Sequence, residues 1–313
     1  MLREIRDHYG IHLFPVSTPL PSLKTNIYFV AKPRPTLIDV PPDAPVFVDE
    51  LEYRLREVGS SIKSIETILV THPHFDHYGS ANTIVKRSGA QVWVMQGSGA
   101  WLEDFEKELY EEEKFTVDFL IKAGTPAGLV RTSVEALRFI AKFADGVKPS
   151  RYLNASEKIE LSFGYFEVRH VPGHTPWCML LHNVESGIAF TGDFLLQKIS
   201  SNPMVQRRGA APVGYKSLKA YASSLKKVGD MHLRVALPGH GEIIGKPSRR
   251  IEEVLRFMQE RQELVRKQIE TGGLQTPFQI ALKLFPMLPK EQTFLAVSEV
   301  VAHLEALEEG YRL

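Results

Sequence analysis

Cysteine is almost missing: Cys178 is the single thiol in 313 residues. One cysteine excludes an intrachain disulfide and fits a reducing compartment. An excess of either charge is missing too, since 38 Lys and Arg against 37 Asp and Glu leave a net +1. No global field therefore draws the chain to nucleic acid, a membrane surface or acidic ligands. No run approaches the roughly 18–20 apolar residues that a membrane span needs. The opening MLREIRDHYG is charged and has no apolar stretch ending in small residues, so it does not read as a secretory leader. Internal repeats and low-complexity tracts are absent. The absences together lead us to expect a cytoplasmic chain with no membrane partner.

What is present is ordinary for a globular protein with a sizeable core: 43% hydrophobic and 24% charged residues. The length suits one large domain with a small addition, or two modest ones. Short β-branched and aromatic runs bordered by Pro or Gly predict strands at 26–31, 36–40, 65–70 and 91–95. Helical spacing falls between them at 49–58 and 81–88, with Gly59 and Gly89 as stops. This alternation is that of an α/β chain. From 101 to 147 the pattern becomes helical, with an acidic helix at 103–114 and an amphipathic one at 133–144. That insertion reads either as a solvated helix pair or as a cover over the active site. In the second case Trp101, Phe105, Leu109, Phe119, Leu120, Leu137 and Phe139 would offer apolar surface to a substrate. Strands resume at 158–161, 166–170, 178–183 and 188–191, followed by a helix at 215–228 and a short strand at 235–237. Ser248 is placed to cap a long helix running to about 271, stopped by Gly272 and Gly273. Thr276-Pro277 opens another helix, and 290–309 forms the last. The expected division is a catalytic domain over 1–247, with the insertion at 101–147, and a helical domain over 248–313.

The chemistry concentrates in THPHFDHYGS, directly after the apolar run IETILV. His72, His74, Asp76 and His77 place four donors within six positions. Imidazole and carboxylate suit borderline divalent metals such as zinc. On an extended segment residues i and i+2 point the same way, so His72 and His74 can grip one ion. If the chain then turns into a helix, Asp76 and His77 face a second. HVPGHTPW adds His174 in a loop after a strand. FTGD puts Asp193 at a strand end, and LPGHGE puts His240 after another. His8, His12, His170, His182, His232 and His303 lie outside these motifs and read as structural or solvent-facing, and Cys178 as a packing residue.

In this order the motifs closely resemble the metallo-β-lactamase superfamily, whose signature is HxHxDH followed by His, Asp and His. The resemblance covers about residues 20–245. It implies a four-layer αβ/βα sandwich with two divalent metal ions, zinc ahead of iron or manganese, at one edge. It also implies that His72, His74 and His174 hold the first ion, that Asp76, His77 and His240 hold the second, and that Asp193 bridges them. Asp76 and Asp193 would then be the catalytic carboxylates, Asp76 helping to orient the attacking water. A hydroxide shared by two metals would attack a carbonyl or phosphoryl centre.

Departures narrow the group. True β-lactamases of this fold generally lack a bridging aspartate like Asp193. Flavodiiron proteins carry a Glu where His74 stands. Nucleases with a large inserted domain need more chain between Asp193 and His240. Lactonases usually place a Tyr soon after the bridging Asp, where Phe194, Leu195 and Leu196 stand here. The glyoxalase II signature has all seven donors, but its Gly- and Arg-rich segment and basic glutathione site are missing. The sequence looks like the broad glyoxalase II-like hydrolases with a helical C-terminus, and the ending AHLEALEEG resembles a reduced winged-helix element. The leading expectation is hydrolysis of a thioester or ester of a small acyl substrate. A metal-dependent endoribonuclease stands second, on basic residues such as Arg207, Arg208, Arg249 and Arg250 in the C-terminal half. A lactonase and a mononuclear iron sulfur dioxygenase stand behind it. Nucleic acid is not favoured as a partner, because Glu111, Glu112 and Glu113 crowd the insertion. The helical tail leaves room for a homodimer.

Overall fold

Several strands of this chain are buried along their whole length, so they must be covered on two sides. The computed structural model describes every residue except Gly272, Leu274 and Gln275, and it meets that demand with two stacked sheets between layers of helices. Helix α1 (Leu2–Tyr9) precedes β1 (Ile11–Ser17), β2 (Lys24–Val30) and β3 (Thr36–Ile38). Helix α2 (Pro45–Glu57) leads to β4 (Thr67–Val70), and the single turn α3 (Phe75–Tyr78) and α4 (Ala81–Ser88) lead to β5 (Gln91–Met95). Then come α5 (Gly99–Glu103), α6 (Phe105–Lys122) and α7 (Ala127–Ala141). Strands β6 (Arg151–Leu153), β7 (Lys158–Leu161), β8 (Gly164–His170), β9 (Met179–Asn183) and β10 (Ile188–Gly192) follow. Helix α8 (Ser217–Gly229) precedes β11 (Val235–Pro238), and α9 (Pro247–Thr271), α10 (Pro277–Leu284) and α11 (Thr293–Glu308) complete the order.

The first sheet runs β1-β2-β3-β4-β5-β6, with β3 to β6 parallel, and the second runs β11-β10-β9-β8-β7. Period-2 alternation sorts the side chains into layers. In β2, Tyr28 and Val30 enter the core between the sheets, while Ile27 and Phe29 face outward under α2 and α4. In β10, Ile188 and Phe190 point to the inter-sheet core, while Ala189 faces α8. This is the four-layer αβ/βα sandwich that the resemblance implied.

Several predicted elements coincide with observed ones: β5, α4 and β7 have the expected limits. The insertion helices are longer than, or shifted from, the expected 103–114 and 133–144. Helix α9 starts at Pro247, so Ser248 sits inside the first turn rather than capping it. Thr276 does cap α10, accepting from the Gln279 N–H in a capping box. Gly272, the expected stop of α9, lies outside the described residues. Elements α1, β1 and β6 were not anticipated, for physical reasons. Helix α1 is eight mostly polar residues with only Ile5 buried, too little apolar content to stand out. Strand β1 contains Pro15 and lies at a sheet edge, where a missing N–H is tolerated. Strand β6 is three residues long.

The insertion does not stand free, and several of its apolar residues are used in packing. Leu120 and Val130 of α6 and α7 share a core with Phe278 and Ile280 of α10 and with Val297 and Val300 of α11, and Phe119 packs against it. Trp101 and Phe105 pack instead on the core under the first sheet, and Phe139 is exposed. Ile251, Val254 and Met258 of α9 and Ala302 and Ala306 of α11 join Leu218, Tyr221 and Leu225 of α8 outside the second sheet. Among the described residues no helix is long and apolar enough to cross a membrane.

Candidate metal centre

Four loops leave the C-terminal ends of strands and meet at one edge of the sandwich. The segment after β4 is extended through His72 and His74, then turns into α3, which carries Asp76 and His77. His174 lies in the loop after β8, Asp193 directly after β10, and His240 after β11. Backbone bonds lock the edge: Asn26 N–H donates to Gly239 O (2.7 Å) and Gly239 N–H to Gly192 O (2.8 Å).

All seven predicted donors come together. His72, His74 and His174 form one group, and Asp76, His77 and His240 another, the donor atoms of each lying within 4.8 Å of one another. Asp193 lies between them: Oδ1 is 3.4 Å from His77 Nε2, while Oδ2 is 3.3 Å from His240 Nε2 and 3.8 Å from His174 Nε2. His72, Asp76, His77, His174 and Asp193 are buried.

The second nitrogen of each ring shows which atom is free to ligate. His240 Nδ1 sits 2.7 Å from Lys24 O and His174 Nδ1 sits 3.2 Å from Asn202 O. A carbonyl only accepts, so both rings carry a proton at Nδ1 and turn Nε2 inward, the atom left to ligate. His77 Nδ1 donates to Asp39 Oδ2 at 2.7 Å. The Thr71 hydroxyl donates to the same oxygen at 2.8 Å, so its own oxygen accepts from His72 Nδ1 at 3.1 Å. His74 is turned the other way: its Nδ1 lies 3.0 Å from His72 Nε2 and 3.1 Å from His174 Nε2. Three ring nitrogens thus converge on one point, the arrangement a cation among them would hold. Zn–N bonds of about 2.0–2.1 Å would set such nitrogens about 3.3 Å apart in a tetrahedron, close to what is seen. Asp193 Oδ1 is buried without a hydrogen-bond partner, a second sign that the residues fit a metal.

Electrostatics divides the site. Burial holds His72 well below the usual imidazole range, pushes His74 down to about 3 and lowers His174. That trio is neutral and ready to ligate. Burial also opposes charge on His77 and His240, but there the carboxylates win. Asp193, Asp39 and Asp76 raise His77 well above its ordinary value, and Asp193 above all lifts His240 to about 10. Despite burial, the same contacts keep Asp76 and Asp193 below the ordinary carboxylate value.

Asp39 escaped sequence reasoning. Its carboxylate accepts from His77, from the Thr71 hydroxyl and from the Thr71 N–H at 2.7 Å, so it orients donors of both trios. It adopts φ 61°, which Asp tolerates better than most residues. The available signal was an acid ending the apolar run TLID. Asp39→Ala is expected to lower metal affinity and kcat/KM by about ten- to hundredfold, as loss of an outer-shell partner does. Metal titration of the purified variant checks this, and unaltered affinity would show that His77 is held without Asp39.

Asn202 was also missed. Its carbonyl faces His174 and its side chain donates to Leu295 O of α11 (2.9 Å), so the C-terminal helices brace a predicted donor. Arg207, in the same loop, pairs with Glu108 and Glu112 of α6. Cys178 is buried and receives the Thr175 N–H at 3.3 Å, and burial pushes its thiol up to about 12, as a packing role requires. His170 stacks on Trp177 and meets Pro176 O at 2.7 Å, bracing the His174 loop.

The family model of the metallo-β-lactamase superfamily matches residues 4–240. A Bacillus subtilis protein named a probable metallo-hydrolase, YqjP, is 26% identical over 299 residues, covering 94% of this chain and 90% of its own. The Haemophilus influenzae hydroxyacylglutathione hydrolase GloC is 30% identical over 150 residues, 48% of this chain and 57% of that protein. A metallo-β-lactamase family protein from Thermus thermophilus superposes with a TM-score of 0.81 at 27% identity, over 96% of this chain and 94% of that one.

Proposed function

The chain belongs to the metallo-β-lactamase superfamily and is a metal-dependent hydrolase, and from that premise we propose that it uses two metal ions to cleave a thioester or ester of a small acyl substrate. The observation that carries the reading is the pair of donor trios with Asp193 between them. His72, His74 and His174 would hold one divalent ion, Asp76, His77 and His240 the other, and Asp193 both. Zinc suits this nitrogen and oxygen donor set, with iron or manganese as alternatives. Such ions, when bound, acidify water towards neutral pH and polarise a carbonyl oxygen. The chain's own work is to place them. Asp39 and the carbonyls of Lys24 and Asn202 fix the imidazole orientations, and the buried walls keep bulk water from His72 and His77. Asp76 and Asp193, which stay ionised, can accept a proton from an attacking water. The acyl choice is supported by the likeness to a hydroxyacylglutathione hydrolase, whose named substrate is a thioester.

Metal analysis and a substrate panel test this. Purified, metal-replete protein is expected to hold two ions per chain and to hydrolyse acyl thioesters faster than lactones, phosphodiesters or RNA. One ion per chain, or cleavage of RNA alone, would overturn the proposal in favour of a mononuclear enzyme or an endoribonuclease respectively.

A further inference from the structure

A second cavity lies behind the metal loop, and none of the seven donors lines it. It is about 340 Å³, bounded by residues 198–203 on one side and by α9 and α11 on the other. Val254, Phe257, Met258, Leu218 and Phe285 give it apolar walls. Its inner polar groups are Arg261, Glu299 and His303, with Lys198 exposed at the rim. Arg261 Nε lies 3.2 Å from Glu299 Oε1 but makes no hydrogen bond, and its guanidinium is sandwiched by Phe257 and Phe285, with ring centroids 5.1 and 4.5 Å away. His303 is 2% exposed, and its Nδ1 has no partner. The other arginine of the wall, Arg250, is spent on Leu196 O, Ile199 O and Glu253.

A buried imidazole whose Nδ1 has no partner, beside a guanidinium whose Nε makes no hydrogen bond, over a wall of apolar side chains, suits a molecule with one acceptor head and a hydrocarbon body. We propose that this cavity binds a medium-chain monocarboxylic acid, its carboxyl group on Arg261 and His303 and its chain along Phe257, Met258 and Val254. Size agrees with this: a cavity of about 340 Å³ has room for a hydrocarbon chain as well as a head group. Protonation agrees with the head group. Burial pushes His303 down to about 3, so it is neutral and can donate one N–H without adding charge. Burial also raises Glu299, against the pull of Arg261, which eases the approach of a second carboxyl. The inference does not rest on the proposed reaction. It does place the ligand one layer of backbone from the metals, because Ser201 donates to Asp193 O and Asn202 O accepts from His174 on the far side of the same loop.

Calorimetric titration of the 313-residue chain, loaded with metal, tests it. From hexanoate to decanoate, affinity is expected to rise by up to about fourfold per methylene and then level off once the cavity is full. Decanol and decylamine are expected to bind at least tenfold more weakly than decanoate. Asp193→Ala, which disturbs the metals, should leave binding unchanged. The double variant Arg261→Met/Glu299→Met removes the pair without stranding either charge and should weaken binding at least tenfold. Binding that disappears in Asp193→Ala yet survives in the double variant would put the acid on the metals and overturn the proposal. So would tighter binding of decylamine than of decanoate, or the lack of any chain-length dependence. The last two comparisons use the unaltered chain and decide the matter even if the double variant does not fold.

Discussion

Asp193→Ala is expected to reduce kcat/KM by at least about a thousandfold, roughly 4 kcal/mol of barrier, while the protein stays folded. Its carboxylate lies between the two donor trios, 3.4 Å from His77 Nε2 and 3.3 Å from His240 Nε2 of one and 3.8 Å from His174 Nε2 of the other. Removing it takes one negative charge from the centre of a cluster that, on the proposed reading, would gather four positive charges in two ions. It also removes the counter-charge that holds His77 and His240 in place. On the proposed reading, two ions without Asp193 between them would repel each other. The fold should survive, because Asp193 packs against site histidines and not within the apolar clusters of either sheet. Kinetics on the substrate found in the panel, with metal content and circular dichroism alongside, provides the check. A variant that keeps more than a tenth of the activity, a barrier change under about 1.4 kcal/mol, would remove Asp193 from the bridging role.

Gly239→Ala should be nearly as damaging, although it adds a single methyl group. A Cβ at this position would stand 2.4 Å from Asp193 Oδ1, 2.7 Å from His77 Cε1 and 3.1 Å from the carbonyl carbon of Gly192. Those contacts are well inside van der Waals distance, and two of the three atoms belong to predicted metal donors. The backbone cannot retreat, because Gly239 is pinned through its N–H to Gly192 O and through its carbonyl to Asn26 N–H. Gly239 is not among the glycines at positive φ, so alanine costs little in backbone conformation there. The strain therefore falls on the site. We expect at least a hundredfold loss of activity and reduced metal occupancy with only a modest fall in Tm, since a misplacement of about 1 Å can by itself cost that much. Full metal occupancy with unaltered kinetics would mean that the β11 loop shifts freely, contrary to its hydrogen bonding.

The donor set was legible because its geometry is local. His72 and His74 lie on two-residue spacing at the end of β4, and Asp76 and His77 follow in the turn that the chain makes straight afterwards. Spacing alone places such groups on one side of a segment. His174, Asp193 and His240 were legible singly as polar residues at strand ends, and their convergence came only through resemblance to a family. The strands inside the sheets were legible by their apolar runs, whereas α1, β1 and β6 were not, being polar, edge-lying or short.

The rest was decided by contacts between distant parts of the chain. Asp39 stands 38 residues before His77, and no rule of spacing ties them; the parallel pairing of β3 with β4 brings them to hydrogen-bonding distance. The carbonyl on His174 comes from Asn202 and is braced by Leu295, a partnership that exists only once α11 has docked. The insertion was expected as a solvated pair or a cover, since an amphipathic helix announces an apolar stripe but not what will bury it. The structure buries that stripe against α10 and α11, more than a hundred residues onward. The sequence by itself therefore determined the chemical class of the site, because metal donors a few residues apart on a strand and its following turn carry their geometry with them. Only the tertiary structure decided how the donors are oriented, what the helices cover and where a second ligand could sit, because backbone carbonyls and apolar faces look the same in every sequence until packing chooses their partners.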